Sequence, residues 1–162
     1  MSEKDITEKH LMELEDIFAD VVNVLLFNGE QVILPNSLKN GLTKSQYKAD
    51  DNKIHEQERD VIKFWEDGGI NIAIFGLENQ TKIDKDMPLR VLNYDGQNYR
   101  SQLLNKNQLT RYPVITLVLY FGEERWTKPK SLFEVLDIPE KLKPFVNDYK
   151  INVFEIAYLT QE

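Results

Sequence analysis

Glu78 and Gln80 close the run INIAIFGLENQ at 70–80, an apolar stretch that turns polar with no turn signal in between. Side chains at i and i+2 of a strand point to the same face, so this carboxylate and this amide are aimed at one place. Asp60 opens the preceding segment, RDVIKFWE at 59–66, and Asp67-Gly68-Gly69 between the two segments is a tight-turn signal. A hairpin from Arg59 to Gln80 brings Asp60 and Glu78 to the same end of adjacent antiparallel strands. With the backbone carbonyl of Asn79, two carboxylates there make an oxygen-rich site of the kind Mg²⁺ takes. Such an ion lowers the pKa of a bound water and stabilises the charge of a phosphoryl transition state. The Gln80 amide could hydrogen-bond that water or a phosphate oxygen. The plainer alternative is that acidic residues simply mark the wet ends of two strands.

Other chemistries find little support. The two histidines, His10 and His55, sit in polar surroundings without metal-ligand spacing, and there is no cysteine for a thiolate site or a disulfide. No strained G-x-S-x-G elbow exists, and Gly68-Gly69 lacks the rest of a phosphate-binding glycine fingerprint. Asp84 and Asp86 resemble the start of a calcium loop but have neither the glycine nor the distant glutamate, so a solvated loop is expected there.

The elements that must position the carboxylates are legible in outline. Residues 8–27 space Leu11, Leu14, Phe18, Val21, Val22 and Leu25 as a helix with a broad apolar stripe, stopped near Asn28-Gly29. The polar stretch 35–58 reads as a loop with a short strand around 45–49. Pro88 suits a helical first turn, and the spacing of Leu89, Val91, Leu92, Tyr99, Leu103 and Leu104 predicts a helix over 87–104, with Gly96 as a weak point. Residues 114–121 have the near-continuous apolar character of a strand covered on both faces. A helical turn capped by Ser131 and a last strand at 150–159 follow. The expected architecture is α/β, a central mixed β-sheet flanked by helices, in one domain over 1–162.

Size and composition agree with this. A chain of 162 residues, 41% hydrophobic and 10% aromatic, can bury a core. MSEKDITEKH lacks a signal-peptide pattern, and no apolar run approaches the ~18 residues of a membrane span, so a cytoplasmic protein without a membrane partner is expected. The net charge of −7 speaks against nucleic acid as a partner, but it is uneven. Residues 82–111 carry six basic side chains, Arg90 and Arg100 among them, against three acidic ones. That local surplus permits a phosphate-bearing partner and is equally the mark of a solvated helix face.

GLENQTKIDKDMPLRVLNYDGQNYRSQL, then RYPVITLVLYFGEERW and DIPEKLKPFVNDYKINVFEI, closely resemble the recombination-promoting nuclease (Rpn) type of transposase-like proteins, within the PD-(D/E)XK superfamily. The likeness runs from FADVVNVLLFNGEQVILP at 18–35 to the C-terminal strand. It implies a restriction-endonuclease-like core, a Mg²⁺ or other divalent cofactor, DNA as partner and a role in the recombination of mobile elements. Carried over by position, Asp60 is the first acidic residue, Glu78 the second, and Gln80 stands where the superfamily most often has Lys. Asp20 on the first helix is the candidate for an additional acidic residue, and Arg90 and Arg100 for grip on the DNA backbone. Relatives of this type run on into a C-terminal region, so the likeness also implies a fragment, a short member or a transposon remnant. The alternative function is a catalytically degenerate module that keeps the fold to bind DNA or protein. A homodimer is compatible with ITLVLYF at 115–121 if an edge of that strand is open.

Overall fold

The computed structural model describes residues 7, 10–41, 44–48, 54–58, 60–68, 70–107 and 110–159, without the side chains of 44–48, 54–58, 70–72 and 74. After a helical turn at 10–13, helix α1 runs from Glu15 to Phe27. It ends where Asn28 turns left-handed at φ 52° and Gly29 follows at φ 83°. Those two residue types are the ones that enter that region at least cost, which is why the apolar period stops there.

Strands β1 (Leu38–Asn40), β4 (Val61–Asp67) and β5 (Ile70–Gln80) form an antiparallel meander, with β2 (Lys44–Lys48) and β3 (Ile54–Glu58) inserted as a separate two-stranded sheet. Helix α2 (Met87–Leu104) then crosses over to β6 (Val114–Tyr120), which pairs parallel with β5. A long connection containing the short helix α3 (Leu132–Val135) leads to β7 (Asn152–Glu155), parallel to β6. The main sheet is therefore five-stranded and mixed, in the order β1-β4-β5-β6-β7.

Alternation along the strands assigns the two faces. Val61, Phe75, Leu77, Leu117 and Leu119 pack with Phe18, Ala19 and Val22 of α1 on one face. Val118 and Tyr120 pack with Met87 and Val91 of α2 on the other. Helices thus flank the sheet on both sides, as expected for α/β.

Several expectations need correction. The stretch 35–58 holds three strands rather than one short strand: β1, which joins the main sheet, and β2 and β3, paired to each other. On α2 the buried residues are Met87, Pro88, Val91, Tyr94, Asp95 and Gln102, whereas Leu103 and Leu104 are exposed. Polar Asp95 and Gln102 take the inner face because each finds partners there. The last strand is shorter than 150–159 and ends in a helical turn at Ile156–Tyr158. β6 lies between β5 and β7, paired with β5 along Val114–Tyr120 and with β7 along Leu117–Tyr120. No helix among the described residues is long and apolar enough to cross a membrane.

Candidate functional site

The hairpin positions the two carboxylates. Gly68 sits at φ 56°, in the left-handed region that a tight strand turn requires, and Asp67 pairs with Ile70 across it. From there the register runs, with one irregularity at Trp65/Glu66, to Val61 opposite Leu77. Asp60 immediately precedes this last pair, at the bend where the chain enters β4, and Glu78 immediately follows it. Glu78 alternates with Leu77 and so lies on the α2 side of the sheet. The Asp60 Oδ2 atom accepts the backbone N–H of Asn79 at 2.7 Å, which ties the end of one strand to the other.

Glu78 is buried, with 2% of its surface exposed. Its Oε2 lies 3.4 Å from Arg90 Nη2, and the Arg90 guanidinium also donates to Asp84 Oδ2 at 2.9 Å and to the Tyr94 hydroxyl at 3.3 Å. Arg90 and Tyr94 are one turn apart on α2, which sets both over the end of β5. Partial burial pushes the Asp84 carboxyl up. The Arg90 hydrogen bond, the Asp86 N–H and the charges of Arg90 and Lys85 outweigh that and leave it below its ordinary range. Burial likewise opposes the Arg90 charge. Its bonds to Tyr94 and Asp84 and the charges of Tyr94 and Glu78 prevail, so the guanidinium is held more firmly protonated than usual.

Gln80 comes two residues after Glu78 on the same face, opposite Tyr120 of β6, and its carbonyl accepts the N–H of Phe121 at 2.8 Å. Beyond it a cleft of about 380 Å³ opens between Thr81–Ile83 and Gly122–Glu124, floored by Tyr120. A side chain at position 122 would collide with the Tyr120 ring, so glycine there keeps the cleft's floor intact. Burial, then the nearby Glu124, Tyr158 and Glu155, raise the Tyr120 phenol above its ordinary pKa. The crevice beyond the carboxyl ends of parallel strands is where open α/β sheets bind their ligands.

Asp95 fixes α2 over this site. Buried at 2% exposure, it accepts Thr116 Oγ1 of β6 at 2.6 Å and the hydroxyl of Tyr149. Gln102 anchors the far end of the helix, donating to the Tyr112 carbonyl at 3.0 Å and accepting its N–H at 3.1 Å. Tethering the helix at both points limits how far Arg90 can drift from Glu78.

The donor set can be tested against a divalent cation. Among the described residues no group of three or more His, Cys, Asp or Glu side chains is arranged to hold a metal ion. The described residues therefore build no all-protein cage of the calcium type. Mg²⁺ does not require one, since it keeps several waters and binds through one or two carboxylates together with substrate phosphates. Asp60 and Glu78, which flank the last pair of the β4–β5 register, are the two carboxylates available for that pattern.

A family model described as "Putative transposase, YhgA-like" matches residues 67–162, more than half of the chain. The chain belongs to the YhgA-like family. No curated protein and no solved structure matches it. The span matched to the YhgA-like family holds Glu78, Asn79, Gln80, Arg90 and Arg100, while Asp60 and Asp20 precede it.

Set on the fold, the predicted residues divide. Glu78 and Gln80 lie at the end of β5, Asp60 just before the start of β4 with its carboxylate on the Asn79 N–H, and Arg90 meets Glu78 from α2. The Asn79 side chain alternates to the α1 face, where its amide is enclosed without a hydrogen bond. Asp20 is exposed on α1, across the sheet from Glu78, and borders an apolar groove with Val24, Leu25 and Leu119. Arg100 is exposed further along α2, ten residues or about 15 Å of helix from Arg90. His10 is exposed, 3.2 Å from Glu13, and the side chain of His55 lies outside the described residues.

Three members of the site escaped the sequence. Asp84, expected in a solvated loop, is engaged by Arg90. Tyr94 and Asp95 were hidden among the apolar residues used to find α2. A tyrosine and an aspartate three and four positions after Val91, on the same stripe, are the signal that could have revealed them.

Proposed function

We propose that this protein is a metal-dependent DNA endonuclease of the recombination-promoting type, built on a restriction-endonuclease-like PD-(D/E)XK core. The order of helix, antiparallel meander, crossover helix and parallel strand supports that core, and membership of the YhgA-like family supports DNA as the substrate. One observation carries the reading most. Asp60 comes one residue before Val61 and Glu78 one residue after Leu77, the last pair of the hairpin register, and the Asp60 carboxylate accepts the Asn79 N–H.

Asp60 and Glu78 are the residues that would hold Mg²⁺ or another divalent cation, with the Asn79 carbonyl as a further oxygen donor. When bound, such an ion supplies Lewis acidity that activates water and offsets charge on the phosphoryl group. The chain's own residues do the rest. The Asn79 N–H orients the Asp60 carboxylate. Gln80 stands where its amide can position water or a phosphate oxygen without contributing charge, and Arg90 and Arg100 supply cations along α2 for the DNA backbone.

The Glu78–Arg90 pair also favours a second reading, a module that binds DNA without cutting it. A buried carboxylate paired with its own arginine can be structural. Incubating the purified protein with supercoiled plasmid, with Mn²⁺ or with chelator, separates the two. Ion-dependent nicking supports the nuclease. A DNA mobility shift without nicking supports the binding module.

A further inference from the structure

Arg90 is held more firmly by its other neighbours than by Glu78. Its Nη1 meets Asp84 at 2.9 Å, whereas Nη2 is divided between Tyr94 at 3.3 Å and Glu78 at 3.4 Å. Full-strength bonds between ionised partners lie at about 2.7–2.9 Å, so the Asp84 contact anchors the side chain and the Glu78 contact is mainly a longer-range charge attraction. The Arg90 side chain is 37% exposed and that of Glu78 only 3%. A cation coming to Glu78 from solvent therefore enters the field of a guanidinium already beside it, and like charges at this separation oppose each other.

We propose that Arg90 is a positioning residue that sets how tightly Glu78 takes a divalent cation, and that Asp84 acts by holding Arg90 back. Without the ion, the guanidinium balances the Glu78 charge. With the ion, the Asp84 and Tyr94 contacts keep the guanidinium seated while Glu78 turns to the metal. This rests on the metal-site reading above and assigns to Arg90 and Asp84 a role that reading does not contain.

Calorimetric titration of the full chain with Mn²⁺ tests it. Arg90→Gln removes the opposing charge and is expected to bind Mn²⁺ on the order of tenfold more tightly. Asp84→Asn frees the guanidinium to close on Glu78 and is expected to bind more weakly. In the Arg90→Gln background, Asp84→Asn should change the affinity little, because the two residues act through one another. A purely structural role would weaken binding in every variant. Unchanged or weaker binding by folded Arg90→Gln overturns the proposal. If that variant does not fold, unchanged binding by Asp84→Asn overturns it instead. Absence of Mn²⁺ binding by the unaltered protein, or binding that survives Glu78→Ala, overturns the metal-site reading and this inference with it. Binding that is lost in Glu78→Ala but unaltered in Arg90→Gln overturns this inference alone.

Discussion

The carboxylate of Asp60 accepts the backbone N–H of Asn79, joining the start of one hairpin strand to the end of the other at the point where Glu78 is presented. The bond gives Asp60 a structural duty alongside any chemical one, and the two can be separated. A hydrogen bond to a charged acceptor contributes about 1.5–3 kcal/mol, so Asp60→Ala should lower stability by an amount in that range. Asp60→Asn keeps an oxygen acceptor in place and should cost about half as much. Nicking activity should nevertheless fall in both by at least about 100-fold, the upper end of what the loss of an outer-shell metal partner costs. Urea unfolding beside a plasmid assay measures both effects.

Lys63 is the main buried cation of the α1 face. It is fully buried on β4, with its amine donating to the Glu13 carbonyl, to Asn40 Oδ1 and, at 3.1 Å, to Glu15 Oε1. It fastens the entry of α1 to β1 and β4. Removing one partner of a buried charged network costs about 3–5 kcal/mol, so Lys63→Ala is expected to destabilise by roughly that amount. Lys63→Met, which refills the volume, should cost less. Comparison of the two unfolding midpoints checks the order.

Glu15 gives this network a pH signature. Its carboxyl is held below the ordinary value of 4.5, first by the hydrogen bond from Lys63, then by its own backbone N–H and the Lys63 charge, against a small opposing effect of burial. The folded value lies below the unfolded one, so the contribution is present above about 4.5 and is lost as pH falls through the depressed value. The stability difference between the unaltered chain and Glu15→Gln should accordingly be constant near neutrality and shrink below pH 4.5. A difference that grows on acidification would contradict the assignment.

Gly96 sits exposed within α2, and a methyl group added there would meet nothing within 4 Å. Its φ is an ordinary negative one, so nothing in the helix requires glycine. Gly96→Ala should raise stability by about 0.5–1 kcal/mol, through the smaller loss of backbone freedom on folding. Thermal unfolding would register this as a higher Tm with no change in nicking.

The parts of the fold that were legible in the sequence are those where local chemistry and burial agree. Asp67-Gly68 with flanking apolar runs could only be a hairpin, and Pro88 followed by a helical period fixed α2 at both ends. The short strand around 45–49 was legible as KSQYK, but its partner IHEQE was not, because it carries no apolar face and among the described residues pairs with KSQYK alone. Lys63 was hidden by alternation itself. Between Val61 and Trp65 it shares their inward face, but a lysine in a strand reads as solvent-facing until the acceptors from Glu13, Glu15 and Asn40 are known. The Glu78–Gln80 spacing and the antiparallel pairing of β4 with β5 followed from period and turn. The role of Asp84 did not, because it depends on how α2 lands over the end of β5, which no local pattern encodes.

The most direct test of the central claim is Mn²⁺- or Mg²⁺-dependent nicking of supercoiled plasmid by the purified chain, repeated with Asp60→Ala and Glu78→Ala. The account predicts nicking by the unaltered protein that chelator abolishes and that each substitution removes while the protein stays folded. Nicking that survives both substitutions, or its absence from the unaltered protein with either ion, would contradict it.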